Sequence, residues 1–425
     1  MIYSVKPPVK PQRVAINLPA SKSISNRMLL LRALSGQDFP IENLSDCDDT
    51  NVMFAALTDL PYTIDVGAAG TSMRFLVAYL SQLEGQEHVI TGTARMLQRP
   101  ILALVDALRC LGADIEYLGD NGFPPLKIKG KKLKCQQPVT MPGDVSSQYI
   151  SAILMIAPLL ETGLKLRLEG EVASKPYIQM TIKLMEELGA KVHAAIDYSS
   201  IQVEAGGYPE ELNSFNVEAD WSAAAFWFEI SSLLGTNWNG YLSIKGLDGF
   251  QSLQGDSVVR KMYQEVFDVH YTSWADNLFV LEIPKDRRMV SHRADFSLCP
   301  DLAQALVVTC CMRNMPFLYT GLESLHIKET DRILALKTEL AKLGFKLRGG
   351  DEDGMLMWQR GTCAKKKGRV VIDTYKDHRM AMSFAPCCIK LGEILINDPG
   401  VVSKSYPGFW DDLRKVGFII EEVNE

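Results

Sequence analysis

Apolar and polar positions along this chain follow a pattern that recurs. A unit opens on small, polar or charged residues, runs into an apolar helix, and continues through strands to a second helix. The second helix usually ends on a leucine or valine followed by glycine, after which apolar and polar residues alternate as in a half-buried strand. The closing phrases include Leu111-Gly112-Ala113-Asp114-Ile115, Leu188-Gly189-Ala190-Lys191-Val192, Leu343-Gly344-Phe345-Lys346-Leu347 and Val416-Gly417-Phe418-Ile419-Ile420. A glycine directly after a periodic helix predicts a left-handed C-cap, which other residues adopt only at a steric cost.

The openings fall at Ser23, Thr71, Ser146, Asp220, Asp301 and Asp377, so all but the first interval are 74–81 residues, whereas 23 to 71 is only 48. Six units are expected, three in each of two domains; the first has lost a piece or borrows elements from elsewhere. A chain of 425 residues is also too long for one ordinary core. Each first helix presents uncapped N–H groups and a partial positive charge at its start. Helix starts that converge make a site for anions. Ser, Thr and Asp at these positions are also ordinary N-caps. Capping does not call for cations there, so Lys22, Arg27, Arg74, His378 and Arg379 favour the anion reading.

Composition narrows the partners. A net charge of −6 gives no reason to expect nucleic acid. Residues 1–18 lack the apolar core of a signal peptide, and the longest apolar stretch, 150–160, is too short to span a bilayer. A cytoplasmic protein is expected. The nine cysteines show no CxxC spacing and the six histidines no metal-ligand pair, so no metal is expected. Cys310–Cys311 and Cys387–Cys388 read as small core hydrophobes.

Five clusters carry the candidate chemistry. Pro19 to Arg27 places Lys22 and Ser23 at a helix start with Arg27 one turn on, over the same face as Ser23. Gly67 to Arg74 is a small-residue turn through which backbone N–H groups can approach an oxyanion. Arg95 and Arg99, a turn apart before Pro100, suit phosphate or carboxylate, or equally a solvated surface pair. In Lys328-Glu329-Thr330-Asp331-Arg332 a carboxylate lies between two cations, an arrangement able to tune a proton-transfer group. Tyr375 to Met382 is the fifth.

The phrases SKSISNR, GTSMR, RMLQRP, SSQY, SKPY, KETDR and DHRMAM, with the segment around Lys404, resemble the 5-enolpyruvylshikimate-3-phosphate synthase family of enolpyruvyl transferases, in order over residues 5–420. The resemblance implies a two-domain inside-out α/β barrel in which each domain is a threefold βαβαββ repeat. It implies a discontinuous domain of residues 1–20 plus 218–425, an inserted domain of residues 21–217, and an active site in the cleft between them. The activity it implies is transfer of the enolpyruvyl group of phosphoenolpyruvate to the 5-hydroxyl of shikimate 3-phosphate, with loss of phosphate and without a cofactor, in a monomer.

By the same resemblance, shikimate 3-phosphate would meet Lys22, Ser23, Arg27, Ser146, Ser147, Gln148, Ser174, Tyr177, Asp301 and Lys328. Phosphoenolpyruvate would be held by Lys22, Gly70, Arg99, Gln148, Arg332, Arg379 and Lys404. Lys22, Asp301, Glu329, His378 and Lys404 would be catalytic, with Asp301 and Glu329 moving protons. The chain departs from the family pattern at Ala68 and Ser324, where Asn is usual, at His326, where Arg is usual, and at Phe75, often Pro. Gly70 is retained, which leaves room beside the pyruvyl group and implies inhibition by glyphosate. Two rivals are the transferase acting on UDP-N-acetylglucosamine and a non-catalytic anion-binding relative. The first usually carries a loop cysteine, absent from residues 88–100, and Cys110 on the next helix reads as core. Against the second, the charged site residues are all present.

Overall fold

The repeat is visible in the sheets. Among the described residues five sheets have four strands and one has two. In spatial order one sheet runs Thr63–Asp65, Glu87–Thr91, Leu126–Lys129 and Asp114–Tyr117, the first pair parallel and the other two antiparallel. The parallel pair needs a crossover, which the helix Gly70–Ser81 supplies; the second helix, Leu102–Cys110, leads to the closing antiparallel strands. Counted along the chain, strand order 1-2-4-3 recurs in four of the five four-stranded sheets, each a βαβαββ unit. The fifth is the same unit permuted: the position after Ile394–Asn397 is filled by the N-terminal strand Ile2–Lys6, flanked by Ile419–Val423.

The short first interval has a structural cause. Its sheet holds only Ile41–Glu42 and Phe215–Asn216, paired in parallel. It lacks the second pair of strands and borrows its partner strand from far along the chain. In this computed structural model the chain divides into two compact units, Met1–Ala20 with Glu218–Glu425, and Ser21–Val217. All residues are described except 11–13, 235–240, 250, 275–277, 283–290, 351–353 and 424–425.

Within each unit the first helices are inside and the sheets outside. Every residue of Gly70–Ser81 is buried, as is every residue of Ser147–Ile156 except Gln148. In the other unit Trp221–Leu234 and His378–Phe384 are enclosed in the same way. A helix apolar all round has no face for water. The strands alternate instead, as in Leu164–Glu169, with every second residue buried. The second helices are one-sided: Phe409–Val416 buries Phe409, Trp410, Asp412, Leu413 and Val416. Their caps are left-handed at Gly112, Gly189, Gly344 and Gly417, with φ of 101°, 84°, 95° and 102°.

One core expectation fails. Cys110 is exposed, because the helix Leu102–Cys110 turns Leu104, Val105, Ala107 and Leu108 inward and Cys110 lies about 200° round the axis from Leu108. The paired cysteines Cys310, Cys311, Cys387 and Cys388 are buried. Among the described residues no helix is long and apolar enough to cross a membrane.

Candidate active site

The candidate residues form two clusters, one in each unit. In Ser21–Val217 the helix starts at Lys22, Gly70 and Lys175 carry no side-chain cap, although Ser21 and Ser174 stand at two of the cap positions. Their first N–H groups are therefore not taken up by cap side chains. Ser146 does cap its helix, accepting from the Gln148 N–H at 3.4 Å. Gln148 in turn donates through Nε2 to Thr71 Oγ1 at 3.0 Å, joining two helix starts.

Lys22 Nζ lies 3.2 Å from Asp49 Oδ2. Asp49 is held by Ser72, which donates to its carbonyl at 2.9 Å. Arg27 is 2% exposed and donates to Thr181 Oγ1 at 2.7 Å, Ser151 Oγ at 3.0 Å and the Ser23 carbonyl at 3.0 Å. Its guanidinium lies 5.3 Å from the Phe75 ring centre and 5.9 Å from that of Tyr177. Burial pushes its pKa down to about 10, so it stays charged at neutral pH. Among the described residues no carboxylate pairs with it. A buried cation with only neutral partners is costly on its own and well suited to an anion that completes it.

Gly70 and Arg99 meet. A Cβ on Gly70 would run into the Arg99 guanidinium, 3.0 Å from its Cζ. Arg99 Nε is buried and has no hydrogen-bond partner among the described residues. Arg74, buried beside them, donates to the Gly70 carbonyl at 3.1 Å. Ser147 and Ser174 are buried and Tyr177 is half-buried.

In the other unit the centre is Arg332, 2% exposed. It donates to Asp377 Oδ2 at 2.7 Å, Asp301 Oδ1 at 2.8 Å and Glu329 Oε2 at 2.9 Å. Burial alone would lower its pKa, but Asp377, Glu329 and Asp301 together raise it above the ordinary value. Asp301 faces further cations: Arg379 Nη2 at 3.1 Å and Lys328 Nζ at 3.7 Å. Burial would raise its carboxyl; Arg379, Lys328 and Arg332 outweigh that and hold it well below the usual carboxylate range. Asp377 caps the helix His378–Phe384 by accepting from the Arg379 N–H at 2.8 Å. His378 Nδ1 is 3.9 Å from Asp377 Oδ1. Lys404 sits at the end of the turn Pro399–Lys404 and donates to the Lys376 carbonyl at 2.8 Å.

Residues to which the sequence assigns no site role complete these clusters. Asp49, Ser151 and Thr181 hold Lys22 and Arg27, and Asp377 holds Arg332. Asp377 marks the opening of the last repeat in the sequence, but its contact with Arg332 does not follow from that position. The departure at His326 also has a partner: Nδ1 lies 2.9 Å from Asp331 Oδ2, and Asp331 Oδ1 caps the helix Arg332–Lys342. Ser324 lies on the preceding turn Glu323–Ile327, and nothing described at Ala68 or Ser324 replaces the usual Asn.

Asp256 is a further buried acid here. It is 3% exposed, Oδ2 accepts from Ser222 Oγ, and Oδ1 has no hydrogen-bond donor among the described residues. Burial and then the charge of Asp301 push its pKa up to about 7. The folded state thus holds a proton that the unfolded chain releases near pH 4, so this group costs stability as pH rises from about 4 to about 7. Asp256→Asn removes that titration. Its stability relative to the unaltered protein is expected to climb across this window, by up to about 4 kcal/mol. Urea denaturation at pH 5, 6, 7 and 8 reads the difference; a flat profile shows that Asp256 is ionised throughout.

Among the described residues no group of three or more His, Cys, Asp or Glu could hold a metal ion. What the geometry offers is two cation-rich clusters, one of them with three carboxylates gathered on Arg332.

Comparison with known proteins gives a consistent assignment. The family model described as EPSP synthase (3-phosphoshikimate 1-carboxyvinyltransferase) matches residues 7–64 and 60–413. A 3-phosphoshikimate 1-carboxyvinyltransferase of Bacteroides fragilis is 50% identical over 416 residues, with 97% of each chain covered. One from Vibrio atlanticus is 35% identical over 437 residues, covering 96% of this chain and 97% of the other. A solved EPSP synthase from Acinetobacter baumannii has a TM-score of 0.75 at 22% identity, over 99% of this chain and 100% of the other, and shows the shared fold. With the family model matched over nearly its whole length and half its residues shared with a full-length relative, the chain belongs to the EPSP synthase (3-phosphoshikimate 1-carboxyvinyltransferase) family.

Proposed function

We propose that this chain performs its family's reaction with the two clusters described above. It transfers the enolpyruvyl group of phosphoenolpyruvate to the 5-hydroxyl of shikimate 3-phosphate and releases phosphate, a step of aromatic amino-acid biosynthesis. Both substrates carry phosphate and carboxylate, which accounts for the cations gathered in each unit. Shikimate 3-phosphate is assigned to Lys22, Ser23, Arg27, Ser146, Ser147, Gln148, Ser174, Tyr177, Asp301 and Lys328. Phosphoenolpyruvate is assigned to Lys22, Gly70, Arg99, Gln148, Arg332, Arg379 and Lys404.

In the addition step Glu329 gives a proton to the enol methylene, Asp301 takes the proton of the 5-hydroxyl, and the new C–O bond makes a tetrahedral intermediate. In the elimination step the C–O bond to phosphate breaks, the leaving phosphate takes the proton held by Asp301, and a proton of the new methyl group returns to Glu329 to restore the enol ether. Lys22 and Lys404 offset the negative charge that develops, and His378 belongs to the same catalytic set. The observation that carries this reading is the Asp301 carboxylate, held ionised among Arg379, Lys328 and Arg332 with Glu329 sharing the last of these. No cofactor enters, and the protein is taken as a cytoplasmic monomer, to be checked by sedimentation.

Phosphate release from phosphoenolpyruvate, measured with shikimate 3-phosphate and separately with UDP-N-acetylglucosamine, tests the function. Release that requires shikimate 3-phosphate is expected. Release only with the nucleotide sugar would transfer the assignment to the related transferase, and silence with both would leave a non-catalytic anion binder. Glyphosate, expected to inhibit, is titrated in the same assay.

Gly70→Ala tests the phosphoenolpyruvate assignment. Only the flexible end of Arg99 must move to admit the new methyl, so folding stability is expected to stay within about 1 kcal/mol. The displaced fork should raise the KM for phosphoenolpyruvate roughly tenfold or more while that for shikimate 3-phosphate changes little. Equal changes in both KM values would remove Arg99 from this role.

A further inference from the structure

Arg27 and Arg332 are both buried arginines, and they are held by opposite means. Three carboxylates fasten Arg332. Arg27 is fastened by two hydroxyls and a backbone carbonyl, none of them charged.

The hydroxyl hydrogens can be placed. Thr181 Oγ1 lies 2.8 Å from the Tyr177 carbonyl, which has no hydrogen to offer, so Thr181 is the donor there. Its two lone pairs then accept from Arg27 Nε at 2.7 Å and from Ser151 Oγ at 2.8 Å. Ser151, having given its hydrogen to Thr181, accepts from Arg27 Nη2 at 3.0 Å. Every hydrogen of the two hydroxyls is thus committed away from the guanidinium, and only lone pairs face it. Ser151 is on the first helix of its repeat and Thr181 on the second, both fully buried, so neither can turn to water. Among the described residues three of the five N–H groups of Arg27 are used, which leaves one on each terminal nitrogen. Each can donate to a carboxylate or phosphate.

We propose that Ser151 and Thr181 are positioning residues for the acceptor substrate: a hydroxyl clamp that fixes the Arg27 fork in direction without neutralising its charge. A carboxylate in their place would hold Arg27 as firmly but compete with the anionic substrate for it. Neutral acceptors leave the attraction for the incoming anion undiminished, and their own cost of fixing the side chain is met before binding. The inference rests on the assignment of Arg27 to shikimate 3-phosphate, and the test separates the two.

Thr181→Val keeps the shape and removes the hydroxyl; Ser151→Ala removes the other and serves should Thr181→Val fold poorly, which urea denaturation reports. Each is expected to raise the KM for shikimate 3-phosphate about ten- to hundredfold, and its Kd by titration calorimetry alike. Turnover at saturation and the KM for phosphoenolpyruvate should stay within about threefold, and Thr181→Ser should restore the acceptor KM. In an Arg27→Ala background Thr181→Val should add nothing further. An unchanged acceptor KM in folded Thr181→Val and Ser151→Ala overturns the clamp, as do equal rises in both KM values or an effect that persists without Arg27. If Arg27→Ala itself leaves the acceptor KM unchanged, the assignment of Arg27 falls and takes the clamp with it.

Discussion

Arg332→Ala is expected to lower the stability of the protein by about 3–5 kcal/mol and turnover by at least about 10²-fold. The guanidinium joins Asp301, Glu329 and Asp377, at 2.7–2.9 Å each. Without it three carboxylates face one another in a site where Asp377 is fully buried. They can relieve the repulsion by taking up protons, so the loss should depend on pH. In the unaltered protein the depressed pKa of Asp301 contributes stability above about pH 4, lost as pH falls through the lower folded value. In the variant Arg379 and Lys328 still face Asp301 but one of its three cations is gone, so that contribution shrinks, and the deficit should be deepest near pH 7–8 and shrink towards pH 5. Arg332→Lys should recover part of the stability and little of the turnover, since one ammonium cannot direct a planar fork at three partners. Urea denaturation across pH 5–8 with phosphate-release rates decides it; a deficit that does not vary with pH would show that the cage carries no strain once opened.

Glu329→Gln and Asp301→Ala should each lose at least about 10²-fold in turnover, for different reasons that stability measurements separate. In Glu329→Gln the amide oxygen can still accept from Arg332 Nη2, so the fold should be nearly unaffected while the acid is gone. Asp301→Ala removes a base and also a partner of Arg332, Arg379 and Lys328, so both rate and stability should fall. Because Asp301 stays ionised well below the ordinary range, the acid limb of the rate profile should not follow it near pH 4. Near-normal rates in either variant would remove that residue from its role.

The repeat could be read from the chain because its markers are local. Glycine C-caps at 112, 189, 344 and 417, alternation in the strands, and all-apolar first helices each depend on neighbours within a few residues. The charged phrases were legible for the same reason: a cation at a helix start is unusual wherever the helix goes. Cys110 misled because leucines on both sides do not say which way a single turn faces. Whether a serine caps its helix was equally unreadable, since Ser146 does and Ser21 does not.

What the sequence by itself determined is the class of fold, the family, and the sites where charge concentrates. Tertiary structure alone decided what those charges meet. Arg27 finds Ser151 and Thr181, 124 and 154 residues away, and Arg332 finds Asp377 across 45. It also decided that Ile2–Lys6 completes the last repeat and Phe215–Asn216 the first. The physical reason is range. Propensity, capping and periodicity act over a turn or a strand, whereas the state of a buried charge depends on whichever groups packing brings within hydrogen-bond distance. One guanidinium is left open to an anion and another is closed by three carboxylates, although both begin as an arginine near the start of a helix.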